Sequence, residues 1–360
     1  MSANTHILIA LFFSMMVLFC RGEGKTNNIA SKVNSNNVDF RIDERTEFFR
    51  TILNLAIEDS IDEELRPCQT RYYQRVKGHF ASLENHPLIQ YLRNHQTIML
   101  DFSTIGLMYA TLESFEFDEA YYRELDHYGI TREALDSISP LLSDFYQTSS
   151  FRKFFQENRS YYDSAVRQIK QQVIREDLLG SLQTFYQSEG DSYELTVFVE
   201  LTNNANNKAV SFYDHYNPNK RALILANICD RPEDVSSANE VLVLDNDTRG
   251  VMYHELSHLF THSLLKKHTR NLTPYRSLCN NCSEDHLIDI IDHMMVNPLQ
   301  AVLSQKLDHY SRKADFFLNE YSDVRKDVFL RLNEYDPEDS VMFEEVYADC
   351  LALIRQSASK

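Results

Sequence analysis

The chain has 360 residues and a formal net charge of -17, from 53 Asp and Glu against 36 Lys and Arg. That balance excludes the basic faces by which proteins hold nucleic acid and suits a protein kept dispersed by its own charge. With 8 Gly, 8 Pro, no Trp, and 20 Tyr and 22 Phe as the large core residues, composition predicts a mainly helical fold of one large domain or two.

The N-terminus reads as a targeting segment. Ile7 to Phe19 is apolar apart from Ser14, and Cys20-Arg21-Gly22-Glu23-Gly24 follows. The run is too short to span a membrane comfortably and fits the core of a signal peptide over residues 1–22, although only His6 stands in front of it where Lys or Arg is usual. A lipobox is excluded because Phe19 occupies the position that needs a small residue. The expectation is export: a secreted, extracellular chain (periplasmic in a bacterium) with no stable membrane insertion after cleavage. Residues 23–36 are polar and Asn/Ser-rich, a flexible lead-in.

Residues 37–190 read as a mainly helical part. Val38 to Ile42 alternates as a short strand, and Asp43 or Thr46 then caps a helix through Ala56. Helices are expected over 69–83, 87–94, 101–113, 118–127, 131–147 and 160–187, where Tyr and Phe repeat at three and four spacing. The character changes in residues 191–360. Tyr193 to Leu201, Lys208 to Tyr213 and Arg221 to Ala226 read as strands, with Glu240 to Leu244 as a candidate fourth. Helices are expected at 284–295, 297–319, 321–333 and 339–356, the last after a turn at Asp336-Pro337-Glu338-Asp339.

Between sheet and helices lies Tyr253-His254-Glu255-Leu256-Ser257-His258-Leu259, an H-E-x-x-H pattern. Two histidines four apart on a helix share a face, so both imidazoles can reach one metal ion. Glu255 follows the first histidine, where it can serve as general base toward water at the metal. Asp247 and Thr248 are available as N-caps, apolar residues recur from Val251 to Leu264, and Lys266 and Lys267 suit the C-terminal end. This is the zinc metalloprotease signature, with Zn²⁺ as the expected cofactor and a peptide or protein as the expected substrate.

Catalytic zinc takes a third protein ligand and leaves one position open. His262 lies about 12 Å along a continuous helix from His254, too far for one ion. The metzincin arrangement is excluded, because its Gly and third His positions hold Thr261 and Leu264. Farther on comes Phe343-Glu344-Glu345-Val346-Tyr347-Ala348-Asp349, an E-x-x-A-D pattern that resembles the second-helix motif of the gluzincins, the clan of thermolysin and neprilysin. The resemblance implies Glu345 as third zinc ligand. It implies Asp349, one turn on, as the carboxylate that hydrogen-bonds a zinc-bound histidine. Glu344 is the fallback ligand, but its partner one turn on is Ala348. Gluzincins also use a His, Tyr or Arg to stabilise the oxyanion; His286, His293, Tyr321 and Tyr335 are the candidates.

The layout as a whole resembles a family of predicted zinc metallopeptidases known as a domain of unknown function. The resembling stretches are Arg45 to Ala56, His86 to Arg93, Tyr253 to His258 and Glu344 to Asp349, and the resemblance extends over most of the mature chain. Leu256 stands where that family usually has Phe, one apolar residue for another. The resemblance implies an α+β zincin-like fold, mainly helical, with a small mixed β-sheet preceding the motif helix. It also implies a gluzincin-like peptidase, and in that clan an edge strand receives the extended substrate. Two other functions compete: a non-catalytic secreted protein that keeps the fold for binding, and a zinc hydrolase of a non-peptide amide.

Cys68, Cys229, Cys279, Cys282 and Cys350 follow the targeting segment, an odd number for an oxidising compartment. Cys279-Asn-Asn-Cys282 is a C-x-x-C that could be redox-active or half of a structural zinc site; with no second C-x-x-C in the chain, a plain disulfide is the expectation. Asn158, Asn246, Asn271 and Asn281 head N-x-S/T sequons, surface acceptor sites in a eukaryotic secretory pathway.

Overall fold

Val38-Asp-Phe-Arg41 alternates buried and exposed side chains and forms a strand, β1 (Val38–Arg41), at one edge of the only sheet among the described residues. The computed structural model describes residues 38–57, 67–95, 102–118, 132–188, 194–204, 207–211, 220–227, 242–310 and 321–358. The targeting run, the lead-in and the body of the helix expected over 118–127 lie outside them. The fold is mainly helical α+β with a small mixed sheet, as composition and pattern predict. None of the helices among the described residues is long and apolar enough to cross a membrane.

The sheet has four strands in the order β1-β2-β4-β3, with β2 at Glu194–Asn204, β3 at Lys208–Ser211 and β4 at Lys220–Asn227. β1 and β4 run parallel to β2, whereas β3 runs antiparallel to β4 and forms the other edge. The parallel centre is buried on both faces, so β4 reads Ala222-Leu-Ile-Leu-Ala226 without alternation. β1 belongs to the helical part of the sequence and pairs with β2 of the later part, so both share one sheet. Residues 242–245 form no strand; Leu242 and Leu244 are buried just before the motif helix.

α1 (Glu44–Ile57) is the central helix. Asp43 fixes its start, accepting from the Arg45 amide at 3.0 Å through its carboxylate and from the Glu47 amide at 3.0 Å through its carbonyl. From Thr46 to Ile57 every residue is buried. Phe48 and Phe49 lock into an aromatic cluster with Phe115, Phe145, Phe151 and Tyr109. Around α1 stand α2 (Arg71–Phe80), α3 (Pro87–Asn94), a short α4 (Phe102–Ile105), α5 (Arg132–Ser149), α6 (Phe151–Glu157), α7 (Arg159–Arg175) and α8 (Leu178–Phe185). The helix expected over 101–113 shrinks to α4 and a 3₁₀ turn, after which Tyr109 bridges Phe117. The segment expected over 160–187 breaks at Asp177, whose φ of 46° is left-handed and closes α7 before α8 begins.

Asn158 sits at the joint of α6 and α7, buried, with its amide donating to the Phe154 carbonyl at 2.8 Å. It is therefore not a surface acceptor, whereas Asn246, Asn271 and Asn281 are exposed.

One face of α1 carries polar groups into the core. Tyr72 donates to Glu47 at 2.5 Å and meets Tyr162 at 2.6 Å, and Asn54 donates to Thr202 at 2.8 Å. Burial pushes the Glu47 carboxyl up to about 7; the Tyr72 hydroxyl opposes the rise and the Glu200 carboxylate adds to it. A carboxyl whose folded pKa is raised contributes stability that is full below its unfolded value near 4.5 and lost as pH rises through about 7. Glu47→Gln keeps the neutral shape at every pH. Urea unfolding should therefore show the variant gaining on the native chain between pH 5 and pH 8. The gain should reach about 3 kcal/mol, since each tenfold change in proton affinity on folding is worth ~1.4 kcal/mol. Parallel stability profiles for the two chains would refute it.

Candidate metal centre

The motif lies on α9 (Asn246–His268), a single unbroken helix. Its N-cap is Asp245, whose carboxylate accepts from the Thr248 amide at 2.8 Å, so Asp247 and Thr248 fall in the first turn and do not cap it. Met252, Tyr253, Leu256, Ser257 and Leu259 are buried. Tyr186 braces that buried side: its ring stacks on Phe260 at 4.8 Å and its hydroxyl meets Ser257 Oγ at 2.6 Å. His254, Glu255 and His258 are half-buried on the remaining face.

A 3₁₀ turn (Thr273–Leu278) and the C-x-x-C loop lead into α10 (Glu284–Asp308), one helix where the sequence suggests two parted near Pro298. Pro298 removes one amide donor, but Met294, Met295, Val296, Leu299, Val302 and Leu303 bury the helix on both sides of it. α10 runs antiparallel along α9: Asp292 faces His258, and Asp308 faces Arg249 at 3.1 Å and Tyr253 at 3.0 Å. This pairing brings His293 to the motif.

His254, His258 and His293 each offer one ring nitrogen, and all three lie within 4.8 Å of one another. His254 Nε2 and His258 Nε2 are 3.2 Å apart. The Nδ1 atoms of two of the rings have further partners. His258 Nδ1 meets Asp292 Oδ2 at 2.7 Å, and His293 Nδ1 meets the Asp289 carbonyl at 2.9 Å and its carboxylate at 3.2 Å. Burial lowers the proton affinity of both imidazoles, but the carboxylates outweigh it. Asp292 holds His258 above its ordinary value, and Asp289 takes His293 up to about 9. Such second partners fix tautomer and ring orientation and raise ligand basicity. Three imidazoles whose near nitrogens converge form a donor set suited to zinc and its transition-metal neighbours. Glu255 does not join them: its Oε2 accepts from the Ala209 amide of edge strand β3 at 2.7 Å.

Glu345 and Asp349 are elsewhere. They stand on α12 (Phe343–Ala358), whose buried face is Phe343, Val346, Tyr347, Cys350, Leu351 and Ile354. Glu345 is exposed, and Asp349 pairs with Arg331 of α11 (Ser322–Asn333) at 2.9 Å on the outer side of the helix. Glu344, the fallback ligand, meets Lys267 and His268. His268 is ten residues past His258 on α9, about 15 Å along the axis at ~1.5 Å per residue. The structure thus gathers His254 and His258 with His293 and leaves Glu345 and Asp349 outside; His262 is likewise not among the gathered ligands. Of the oxyanion candidates, His293 reaches the centre in a ligand position. Tyr321 and Tyr335 donate to the Leu278 and Phe185 carbonyls at 2.7 and 2.9 Å, and His286 is exposed.

One signal for His293 lies in the sequence: Asp289 stands one turn before it on the same helix, placed as the carboxylate partner that metal-bound histidines take. No protein-family model, no curated protein and no solved structure matches the chain.

Proposed function

We propose that this chain is a zinc-dependent peptide hydrolase in which His254, His258 and His293 hold the metal and Glu255 is the general base. The observation that carries the reading is the convergence of three imidazole nitrogens within 4.8 Å, two of them from the H-E-x-x-H motif that also supplies Glu255. Zinc bound there would polarise water and a substrate carbonyl, with three protein ligands and an open position as in catalytic sites. Asp292 and Asp289 orient two of the imidazoles. Glu255 takes the proton from the attacking water and passes it to the leaving amine.

Edge strand β3 supports a peptide substrate over a smaller amide. Its Ala209 amide points away from β4 and toward Glu255. An extended chain pairing along that edge would run past the base. Export is part of the same proposal, supported by the apolar run at Ile7 to Phe19 and by the disulfide-bonded state of Cys68.

A second reading has one observation in its favour. Because Glu255 accepts from the amide of an edge strand, it has a structural use that a non-catalytic zincin-like binding protein would also keep. A peptide library incubated with zinc-loaded protein separates the two. The hydrolase reading expects cleavage that stops on chelation and returns with added Zn²⁺; zinc binding without cleavage of any peptide favours the binding protein.

A further inference from the structure

Three cysteines among the described residues are thiols: Cys279 and Cys282, half-buried, and Cys350, buried. The first two stand at the ends of a four-residue turn whose middle is Asn280 and Asn281. Asn281 has a φ of 68°, the left-handed conformation that the third position of a tight turn takes and that Asn tolerates. Such a turn holds its first and fourth Cα atoms under ~7 Å apart, within the range a disulfide bridges. The Cys282 side chain folds back over the turn, its thiol lying 3.6 Å from the Cys279 carbonyl. Ser283 follows at once and caps α10, its hydroxyl accepting from the His286 amide at 3.2 Å.

We propose that Cys279 and Cys282 form a reversible disulfide, a thiol–disulfide exchange site that clamps the turn in front of the helix bearing Asp289, Asp292 and His293. The proposal stands independently of the metal reading. The oxidant is a low-molecular-weight disulfide. One cysteine thiolate attacks it, forming a mixed disulfide and releasing one small thiol. The second cysteine thiolate then attacks the protein-bound sulfur, forming the Cys279–Cys282 bond and releasing the second small thiol. Two protein thiols are oxidised, one disulfide is reduced, and the two protons leave with the small thiols. A loop of four residues gains little from closure, which places the bond among the exposed, labile disulfides that exchange with the surrounding pool. Cys350 is the internal control. Burial takes its pKa up to about 12, and its thiol lies 4.0 Å from the Val328 carbonyl of α11, out of reach of the exchange.

The folded full-length chain is equilibrated in glutathione buffers of graded oxidised-to-reduced ratio, quenched in acid, alkylated and mapped by mass spectrometry. The Cys279–Cys282 link should appear and disappear with the ratio, while Cys350 is alkylated only after unfolding. Cys279→Ser should leave Cys282 carrying a single glutathione, and Cys282→Ser the converse; both positions are partly exposed, so both variants test chemistry with little cost to the fold. Thiols that stay reduced at the most oxidising ratio, glutathione on each cysteine of the native chain without a link, or a link that reduced glutathione fails to open would each overturn the proposal.

Discussion

Replacing Glu255 by Gln should leave fold and zinc affinity intact and lower peptide hydrolysis by about 10²–10⁴-fold, the contribution typical of a positioned general base. The amide has nearly the shape of the carboxylate, and its oxygen can still accept from the Ala209 amide, so edge strand β3 keeps its contact with α9. What Gln lacks is the capacity to take a proton from water and hand it on. The loss should fall on kcat, with substrate binding little changed, because the base acts on the transition state. Zinc content by metal analysis and peptide turnover, measured on one preparation, check both halves. Turnover near the native rate would remove Glu255 from the chemistry, and a concurrent loss of zinc would mean it holds the metal.

The second large effect is on the metal itself. His293→Ala should lower zinc affinity by more than the roughly 10–100-fold that loss of an outer-shell partner costs, since it removes one of the three converging nitrogens. Asp292→Ala belongs in the outer-shell range: it removes the 2.7 Å contact that orients His258 but leaves the ring in place. Glu345→Ala and His262→Ala should leave affinity unchanged, because neither side chain joins the three histidines. The order His293, then Asp292, then no effect distinguishes this site from one completed by α12, which would put Glu345 first and Asp349 second.

Local pattern made half of the centre legible. His254 and His258 are a turn apart on a capped, half-apolar helix, and that relation depends on sequence alone. The strands of the sheet were legible for the same reason, as was the turn before α12, where Asp336 accepts from the Glu338 amide at 2.9 Å. The third ligand depends on which helix lies beside α9, which no local spacing states. The E-x-x-A-D pattern drew attention to α12. Yet the three- and four-residue recurrence of Phe343, Val346, Tyr347, Cys350, Leu351 and Ile354 already turned Glu345 and Asp349 to the outside of that helix. The expected break between 284–295 and 297–319 misled in the other direction: buried residues on both sides carry α10 straight through it and through Pro298. Asn158 looked like a surface acceptor because a sequon records three residues and says nothing of burial.

X-ray absorption at the zinc edge, on the zinc-loaded native chain and on His293→Ala, tests the centre most directly. The account predicts three imidazole nitrogens at about 2.0–2.1 Å with an oxygen in the open position for the native chain, and one imidazole fewer in the variant. A native spectrum with two imidazoles and carboxylate oxygens, unchanged by His293→Ala, would contradict it.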